Sequence, residues 1–498
     1  MSLAAVQPAP MRLEQLLAGV GETPAGALEV TGLATDSRQV APGDLFLACA
    51  GGARHGVEYI DDAVARGAVA VLWEGEQPPA ATVPSIRVTD LHRRVGEIAS
   101  RFHGNPSANM LVVGVTGTDG KTSGTHLLTQ ALMHLGRTSG YLGTLGYGWL
   151  DALAVPTHTT PDAVSLQGWL ARLAAAGTEA VALEVSSHAL DQYRVNGTDI
   201  DIAVLTNIGR DHLDYHGSME AYALAKRRLF EFAGLDHVIL NVDDPTGAAW
   251  FADMAERSTS VAYGLMPHTP PLAGLHVFAT DLLTRPGGLV IEVDSSWGRM
   301  RVESGLLGRF NAYNLLAVLA VLLVDGVAPD RAVAALAALQ TVPGRMEVVD
   351  AQGRGPLVVV DYAHTAGALE HALRALGEHV DGRLHCVFGC GGDRDAGKRP
   401  LMGAVAARLA DWVWVTDDNP RHEDGDAIVR AIVSGMPGGA AVTVQRDRAA
   451  AIAEAIAAAG ANDAVLIAGK GHETDQQIGD ERRPFDDRLA ARRVLEAA

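Results

Sequence analysis

The run Met110-Leu111-Val112-Val113-Gly114-Val115, followed by Gly117-Thr118-Asp119-Gly120-Lys121-Thr122, decides how this chain is read. An apolar, β-branched strand runs into a glycine-rich turn, and a helix-like segment follows. Such a turn is a phosphate cradle. Backbone N–H groups of the turn and of the helix N-terminus face the phosphates, Lys121 adds a point charge, and the Thr122 hydroxyl is placed to hold Mg²⁺. The first glycine of the usual pattern would fall at Val115, with Gly114 and Gly117 on either side of it, so the loop is a variant.

Outward from this loop, short apolar runs alternate with helix-length segments, the pattern of parallel α/β sheets with covered faces. The expected strands are Met110 to Val115, Ala180 to Glu184, Ile202 to Leu205, His237 to Leu240, Leu357 to Asp361, Leu384 to Gly389, Trp412 to Thr416 and Ala464 to Ala468. Nearly every one ends in polar or glycine-rich residues. Examples are Glu184-Val185-Ser186-Ser187-His188, Asp417-Asp418-Asn419-Pro420-Arg421 and Gly469-Lys470-Gly471-His472-Glu473. Ligands of open α/β sheets bind at the carboxyl ends of strands, so two such edges imply a cleft between domains. The expected fold is α/β with three domains. Residues 1–90 form an N-terminal α/β domain, 91–342 a P-loop domain whose parallel sheet is joined by a small antiparallel sheet over Val277 to Val302, and 343–498 a Rossmann-like domain.

A chain of 498 residues, 48% of them hydrophobic, is long enough for about three buried cores. Its 40 Lys and Arg against 59 Asp and Glu give a formal charge of −19, which repels nucleic-acid backbones and anionic membranes. An anionic substrate then needs local basic positions, such as those of Arg394-Asp395-Ala396-Gly397-Lys398-Arg399. Cys49, Cys386 and Cys390 are too few and too oddly spaced for a disulfide framework or a four-ligand zinc site, which fits a reducing cytoplasm. The longest apolar run, Leu315 to Val324, is about half a membrane span, and no signal-peptide pattern opens the chain.

The stretch Asn207-Ile208-Gly209-Arg210-Asp211-His212-Leu213-Asp214-Tyr215-His216-Gly217 packs several metal or phosphate ligands behind a strand. A capping Asp with a hydrogen-bonded His is the bland reading; beside a phosphate loop and Glu184, a Mg²⁺ site is the better one. Taken with Asp36-Ser37-Arg38, Thr159-Thr160-Pro161-Asp162, Tyr222 to Phe230, Gly308-Arg309-Phe310-Asn311, Gly344-Arg345-Met346-Glu347 and Asp361 to His364, these motifs make the chain resemble the Mur ligases of bacterial cell-wall synthesis. Members of that family join an amino acid to a nucleotide-linked peptide using ATP.

The resemblance implies a mechanism and a set of site residues. ATP phosphorylates a carboxylate of the substrate, and an amine attacks the acyl phosphate. Gly117, Thr118, Asp119, Gly120, Lys121, Thr122 and Ser123, with Asn311 and Arg345, match ATP-binding positions. Lys121, Glu184, His212 and Lys226 match catalytic ones. Metal ligands would be Thr122, Glu184, His212 and a carbamylated Lys226, in which CO₂ turns a cation into an oxygen ligand, so that two Mg²⁺ ions are expected. Thr35, Ser37, Gly52, Ala53, Arg54, Thr159, Thr160, Ser186, Gln192 and Arg194 match positions that hold the UDP-linked substrate. The tail motifs resemble those of the member that adds meso-diaminopimelate to UDP-N-acetylmuramoyl-L-alanyl-D-glutamate, with Arg394, Asp418, Asn419, Pro420, Arg421, Gly469 and Glu473 around the incoming amino acid. Diaminopimelate differs from lysine by a second carboxylate, and Arg421 offers the guanidinium that would select it.

Carboxylate, ATP and amine would then come from different domains, with hinges near residues 90 and 343. Four positions depart from the family pattern: Asp119 and His158 each replace Asn, while Ala366 and Gly425 each replace Pro. Asp119 adds a carboxylate near the phosphates; the others bear on loop stiffness. The competing readings are a lysine-adding relative, a folate-elongating relative, and a nucleotide-binding scaffold that has lost catalysis and organises other wall-synthesis enzymes. Arg421 opposes the first, Thr159-Thr160-Pro161-Asp162 the second, and the complete set Lys121, Glu184, His212 and Lys226 the third.

Overall fold

The structure, a computed structural model, describes residues 8–50, 55–77, 79–254, 259–265, 274–349 and 355–497. The chain divides into two compact units, one of Met1–Phe278, Asp294–Gly298 and Asn314–Ala335, the other of Ala279–Val293, Arg299–Tyr313 and Leu336–Ala498.

The first unit carries two sheets. The smaller has four parallel strands in the order Gly32–Ala34, Asp44–Ala48, Ala70–Trp73 and Ser85–Arg87. Its inner strands are wholly buried, as expected of parallel strands covered on both faces. The larger sheet runs Ala152–Ala154, Gly146–Trp149, Ser139–Gly143, Ala180–Glu184, Leu111–Thr116, Ile202–Leu205, His237–Asn241 and Ser260–Gly264, then Leu275–Arg285, whose first residues belong to this unit. From Ser139–Gly143 to Leu275 the pairing is parallel. The chain leaves Leu111–Thr116 in one direction for Ser139–Gly143 and later fills the other side with Ile202–Leu205, so the order reverses at Leu111–Thr116, where such sheets bind ligands. Register fixes what meets there: Glu184 lies opposite Val115, and Leu205 opposite Thr116. The phosphate loop, Glu184 and Thr206-Asn207 therefore leave one edge together.

In the second unit six strands run Glu347–Val348, Leu357–Asp361, Ala464–Ala468, Leu384–Phe388, Trp412–Val415 and Val442–Val444, parallel except for the first. Asp361 and Phe388 both pair with Ala468, which sets their carboxyl ends at one level. Helices cover both faces, packing Leu369, Leu373, Met402 and Ile432 on one side and Ile452, Ile456 and Ala491 on the other. The antiparallel strands expected over Val277 to Val302 form, with Gly288–Ser295 paired to Met300–Ser304. Among the described residues no helix is long and apolar enough to cross a membrane. The run Leu315 to Val324 belongs to the helix Arg309–Val324 and is buried from Leu315 to Leu323.

Two of the four departures have a local meaning. Ala366 and Gly425 are each the first residue of a helix, behind the caps Thr365 and Asp424, which is where proline is favoured. At Gly425 a Cβ would stand 1.9 Å from Arg446 Nη2, and that guanidinium is held by Asp417 and Asp426. Gly425 makes room for this ion pair.

Candidate active site

The phosphate loop is shaped by its neighbour strand. Gly117 sits at φ +149°, and a Cβ there would lie 1.9 Å from Thr206 Oγ1, so only glycine fits. Thr118 N donates to Asn207 O (2.8 Å) and Asp119 N to Asn207 Oδ1 (3.0 Å), while Thr206 Oγ1 donates to Asp119 O (2.6 Å). The helix Lys121–His134 then begins, and the N–H groups of a helix's first turn lack partners within it, as an anion cradle requires. Ser123 lies in this first turn, half-buried. Asp119 is exposed.

Two lysines converge on one carbonyl. Lys121 Nζ donates to Gly117 O (2.9 Å) and Thr118 O (2.8 Å); Lys226 Nζ, 1% exposed, donates to Gly117 O (2.7 Å). Lys226 also lies 4.7 Å from the centre of the Tyr222 ring, whose hydroxyl meets Thr118 Oγ1 at 2.9 Å. Burial, with the Lys121 charge adding to it, drives the Lys226 ammonium well below the usual lysine range; burial also lowers Lys121. Lys226 is thereby held toward the neutral amine, the form that reacts with CO₂.

Glu184 is fully buried in a cage of four donors. Thr122 Oγ1 (2.9 Å) and Thr144 Oγ1 (3.1 Å) donate to its Oε2; Tyr141 OH (2.5 Å) and Thr144 N (2.9 Å) donate to Oε1. Burial pushes the Tyr141 phenol up, so it remains a donor. The sequence reading missed Tyr141, Gly143 and Thr144. Its one available signal was the glycine-rich run Gly140-Tyr141-Leu142-Gly143-Thr144-Leu145-Gly146 at the end of a strand.

The expected substrate residues of the central segment continue this network. Thr160 Oγ1 donates to the Glu184 carbonyl (2.7 Å) and accepts from Ser186 N (3.0 Å); Thr159 Oγ1 lies 3.1 Å from Thr144 Oγ1, whose one proton goes to Glu184. Arg194 Nη1 donates to Thr160 O (3.1 Å), Arg194 Nε to Gln192 Oε1 (2.9 Å), and Gln192 Nε2 to Tyr215 OH (3.1 Å). Thr35 is exposed and Ser37 buried in a short 3₁₀ turn capped by Asp36; Gly52, Ala53 and Arg54 lie outside the described residues. His158, the second departure, is tied through its backbone N–H and carbonyl to the Tyr147 hydroxyl.

His212 adopts φ +50°, and its Nε2 lies 3.3 Å from Asp211 Oδ2. Its ring stands edge-on to His188, with centroids 4.7 Å apart. Among the described residues no group of three or more His, Cys, Asp or Glu is arranged to hold a metal ion. Thr122 and Glu184 nevertheless offer two adjacent hard oxygens beside the phosphate cradle, the donor chemistry of an ion that completes its shell with phosphate and water.

In the second unit, Asn311 is buried and its Nδ2 donates to Leu307 O (2.8 Å); the Arg345 guanidinium lies 5.4 Å from the Tyr362 ring centre. Asp361 accepts from Met346 N and Ala363 N, both at 2.8 Å, and burial raises its carboxyl. His364 is exposed, with its ring packed against Tyr362. The expected amino-acid residues gather at the ends of three adjacent strands. Arg421, at φ +50°, donates through Nη1 to Gly392 O (2.7 Å), and Gly392 is without a side chain because a Cβ would meet Pro420 O at 1.9 Å. Asn419 Nδ2 donates to Glu473 Oε2 (2.9 Å), and Gly469 packs on Asp418, whose carboxyl is raised by burial. Arg394 is exposed next to this group.

Three family models match the chain: the Mur ligase family, catalytic domain, over 29–103, the Mur ligase middle domain over 115–322, and the Mur ligase glutamate ligase domain over 344–471. The UDP-N-acetylmuramoyl-L-alanyl-D-glutamate–2,6-diaminopimelate ligase of Alkalilimnicola ehrlichii is 51% identical, with 97% of this chain and 99% of that one covered. The ligase of the same name from Xylella fastidiosa strain 9a5c is 48% identical, with 98% of each covered. A solved structure of a ligase of that name superposes with a TM-score of 0.80 at 36% identity, covering 98% of this chain and 99% of that one. Similarity of this extent over all three domains, around a phosphate loop that meets a caged glutamate, settles the membership: the chain belongs to the Mur ligase family.

Proposed function

We propose that the protein joins 2,6-diaminopimelate, in its meso form, to UDP-N-acetylmuramoyl-L-alanyl-D-glutamate at the expense of ATP, in the synthesis of peptidoglycan precursors. As a Mur ligase it is an ATP-dependent amide-forming enzyme. The observation that carries the reading is Glu184: its carboxylate bonds the phosphate-loop Thr122, and its carbonyl bonds Thr160 in the expected substrate segment. One residue thus ties the nucleotide cradle to the segment that would present the carboxylate. The relatives named for this reaction match over nearly the whole chain, which supports the same substrates here.

The chemistry follows from what a carboxylate resists. Its anion repels an amine and has no good leaving group, so an oxygen of the substrate carboxylate first attacks the γ-phosphorus of ATP, giving acyl phosphate and ADP. The amine nitrogen then attacks the acyl carbon, loses a proton, and expels phosphate. Phosphoryl transfer between anions depends on positioning and charge neutralisation. Lys121 and the first-turn N–H groups supply these for the phosphates in our reading, with Asn311 and Arg345 on the nucleotide. Mg²⁺, held by Thr122 and Glu184 with His212 and a carbamylated Lys226, would add Lewis-acid stabilisation. A carbamate fits Lys226 because its remaining N–H can keep the bond to Gly117 O. Thr35, Ser37, Gly52 to Arg54, Thr159, Thr160, Ser186, Gln192 and Arg194 are assigned to the UDP-linked substrate. Arg394, Asp418, Asn419, Pro420, Arg421, Gly469 and Glu473 are assigned to diaminopimelate. The domain limits 1–90, 91–342 and 343–498 and a cytoplasmic location belong to the same proposal.

The test is product formation by the purified chain. ADP, phosphate and a product heavier by one diaminopimelate residue should appear together, and only when all three substrates and Mg²⁺ are present. ADP release that ignores the amino acid would sink the ligase assignment, and no ADP release under any of these conditions would favour the scaffold that has lost catalysis.

A further inference from the structure

We propose that Lys470 is a positioning residue of the amino-acid site, acting through Glu473 and Asn419 without touching the substrate. This rests on the assignment of those two residues to the incoming amino acid. Lys470 is a lysine with no exposed surface. Its Nζ donates to Asn419 Oδ1 (3.1 Å) and to Glu473 Oε2 (3.0 Å). Asn419 is fixed twice more: its Oδ1 accepts from Gln477 N (2.9 Å), and its Nδ2 donates to Glu473 Oε2 (2.9 Å).

The backbone is built to put the ammonium there. Gly469 and Gly471 flank it at φ +115° and +56°; a Cβ on Gly469 would stand 2.5 Å from Asp418 Oδ2, and one on Gly471 would stand 2.7 Å from Tyr362 Cβ and 2.8 Å from Gly344 O. Neither flanking position admits a side chain, so the turn presses the lysine inward. A buried ammonium is costly unless paired, and a methionine would fill the same space without that cost. What methionine lacks is the ability to anchor a carboxylate. Oε2 of Glu473 receives two donors, while Oε1 has none among the described residues and the side chain is 33% exposed. Lys470 thus pins one oxygen and leaves the other turned to receive an ammonium group of an α-amino acid.

The test uses the full-length enzyme and whichever amino acid the wild type incorporates, with KM for that amino acid, KM for ATP, kcat and melting temperature measured for Lys470→Met, Lys470→Gln, Glu473→Gln and the Met/Gln double variant. Lys470→Met is expected to raise the amino-acid KM by about tenfold or more, the scale of a charge-assisted hydrogen bond, with the ATP KM unchanged. Lys470→Gln, which can still donate, should fall between it and wild type. The double variant should be no worse than Glu473→Gln, since both changes remove one interaction. An unchanged amino-acid KM, equal changes in both KM values, or multiplied effects in the double variant would overturn the proposal. Incorporation of lysine in place of diaminopimelate would overturn the substrate reading, while the KM comparison made with lysine would still decide the role of Lys470.

Discussion

Replacing Gly143 with alanine puts a methyl group where Glu184 now sits. The new Cβ would lie 2.2 Å from Glu184 Oε1, 2.6 Å from Tyr141 OH and 2.7 Å from Glu184 Cδ. Non-bonded carbon does not approach oxygen so closely, so the carboxylate must retreat by on the order of 1 Å, a displacement that in an active site costs about 100-fold in rate. It cannot retreat freely, because Tyr141 OH and Thr144 N hold Oε1 from one side and Thr122 and Thr144 hydroxyls hold Oε2. Overpacking of this kind costs about 1–3 kcal/mol, and weakening one buried bond to a carboxylate adds roughly 1.5–3 kcal/mol. Gly143→Ala should therefore lose about 2.5–6 kcal/mol of unfolding free energy, about 100-fold in kcat, and apparent affinity for Mg²⁺. The assays are urea denaturation and ADP release titrated with Mg²⁺ at saturating substrates. Tyr141→Phe removes a donor without adding volume and should do less harm to kcat. A Gly143→Ala enzyme with wild-type kcat and Mg²⁺ dependence would refute the idea that the donor cage sets the position of Glu184.

If Lys226 is carbamylated, enzyme equilibrated with ¹³C-bicarbonate should show a carbamate carbon resonance that is absent from Lys226→Met, and that variant should lose at least about 100-fold in kcat; absence of the resonance from active wild type would remove the modification. His126 is buried and its pKa is lowered to about 4, so the native state refuses a proton that the unfolded chain accepts below about pH 6.5. Unfolding free energy should thus fall as pH drops from about 6.5 to 4, by about 3 kcal/mol through this group, and flatten below; His126→Gln should lose that slope in denaturation curves taken across the window. Ala366→Pro should stabilise by roughly 0.4–1 kcal/mol, because the preceding Thr365 already has the extended φ −127°, ψ 160° that proline requires. Gly425→Pro should instead destabilise, since it meets the Arg446 guanidinium, and equal effects at the two sites in thermal melts would contradict this distinction.

What could be read from the sequence was local. The strands Ala180–Glu184, Ile202–Leu205, Leu357–Asp361 and Ala464–Ala468 are continuous apolar runs broken by polar residues, and buried parallel strands need that composition. The phosphate loop was legible because its glycines, lysine and threonine are consecutive. The cage around Glu184 was not, since Tyr141 and Thr144 reach it only because Ser139–Gly143 pairs beside Ala180–Glu184, a neighbour choice that spacing does not encode. The resemblance places Glu473 at the incoming amino acid, but nothing in its spacing shows that it is bound to a buried lysine three residues away. The N-terminal α/β domain was expected, but its strands could not be located because segments such as Gly32–Ala34 and Ser85–Arg87 are too short to carry a pattern. Tertiary pairing also explains Gly425, where sequence offered only a missing proline.

The central claim is tested most directly by amino-acid-dependent ADP release, measured with ATP, Mg²⁺ and UDP-N-acetylmuramoyl-L-alanyl-D-glutamate, for wild type and Arg421→Ala, with meso-diaminopimelate or L-lysine as acceptor. The account predicts turnover with diaminopimelate and little with lysine. In Arg421→Ala it predicts a loss in kcat/KM for diaminopimelate of about 100-fold, the scale of a guanidinium–carboxylate pair, which erases the preference. Equal turnover of the two amino acids by wild type, or a preference that survives in Arg421→Ala, would contradict it.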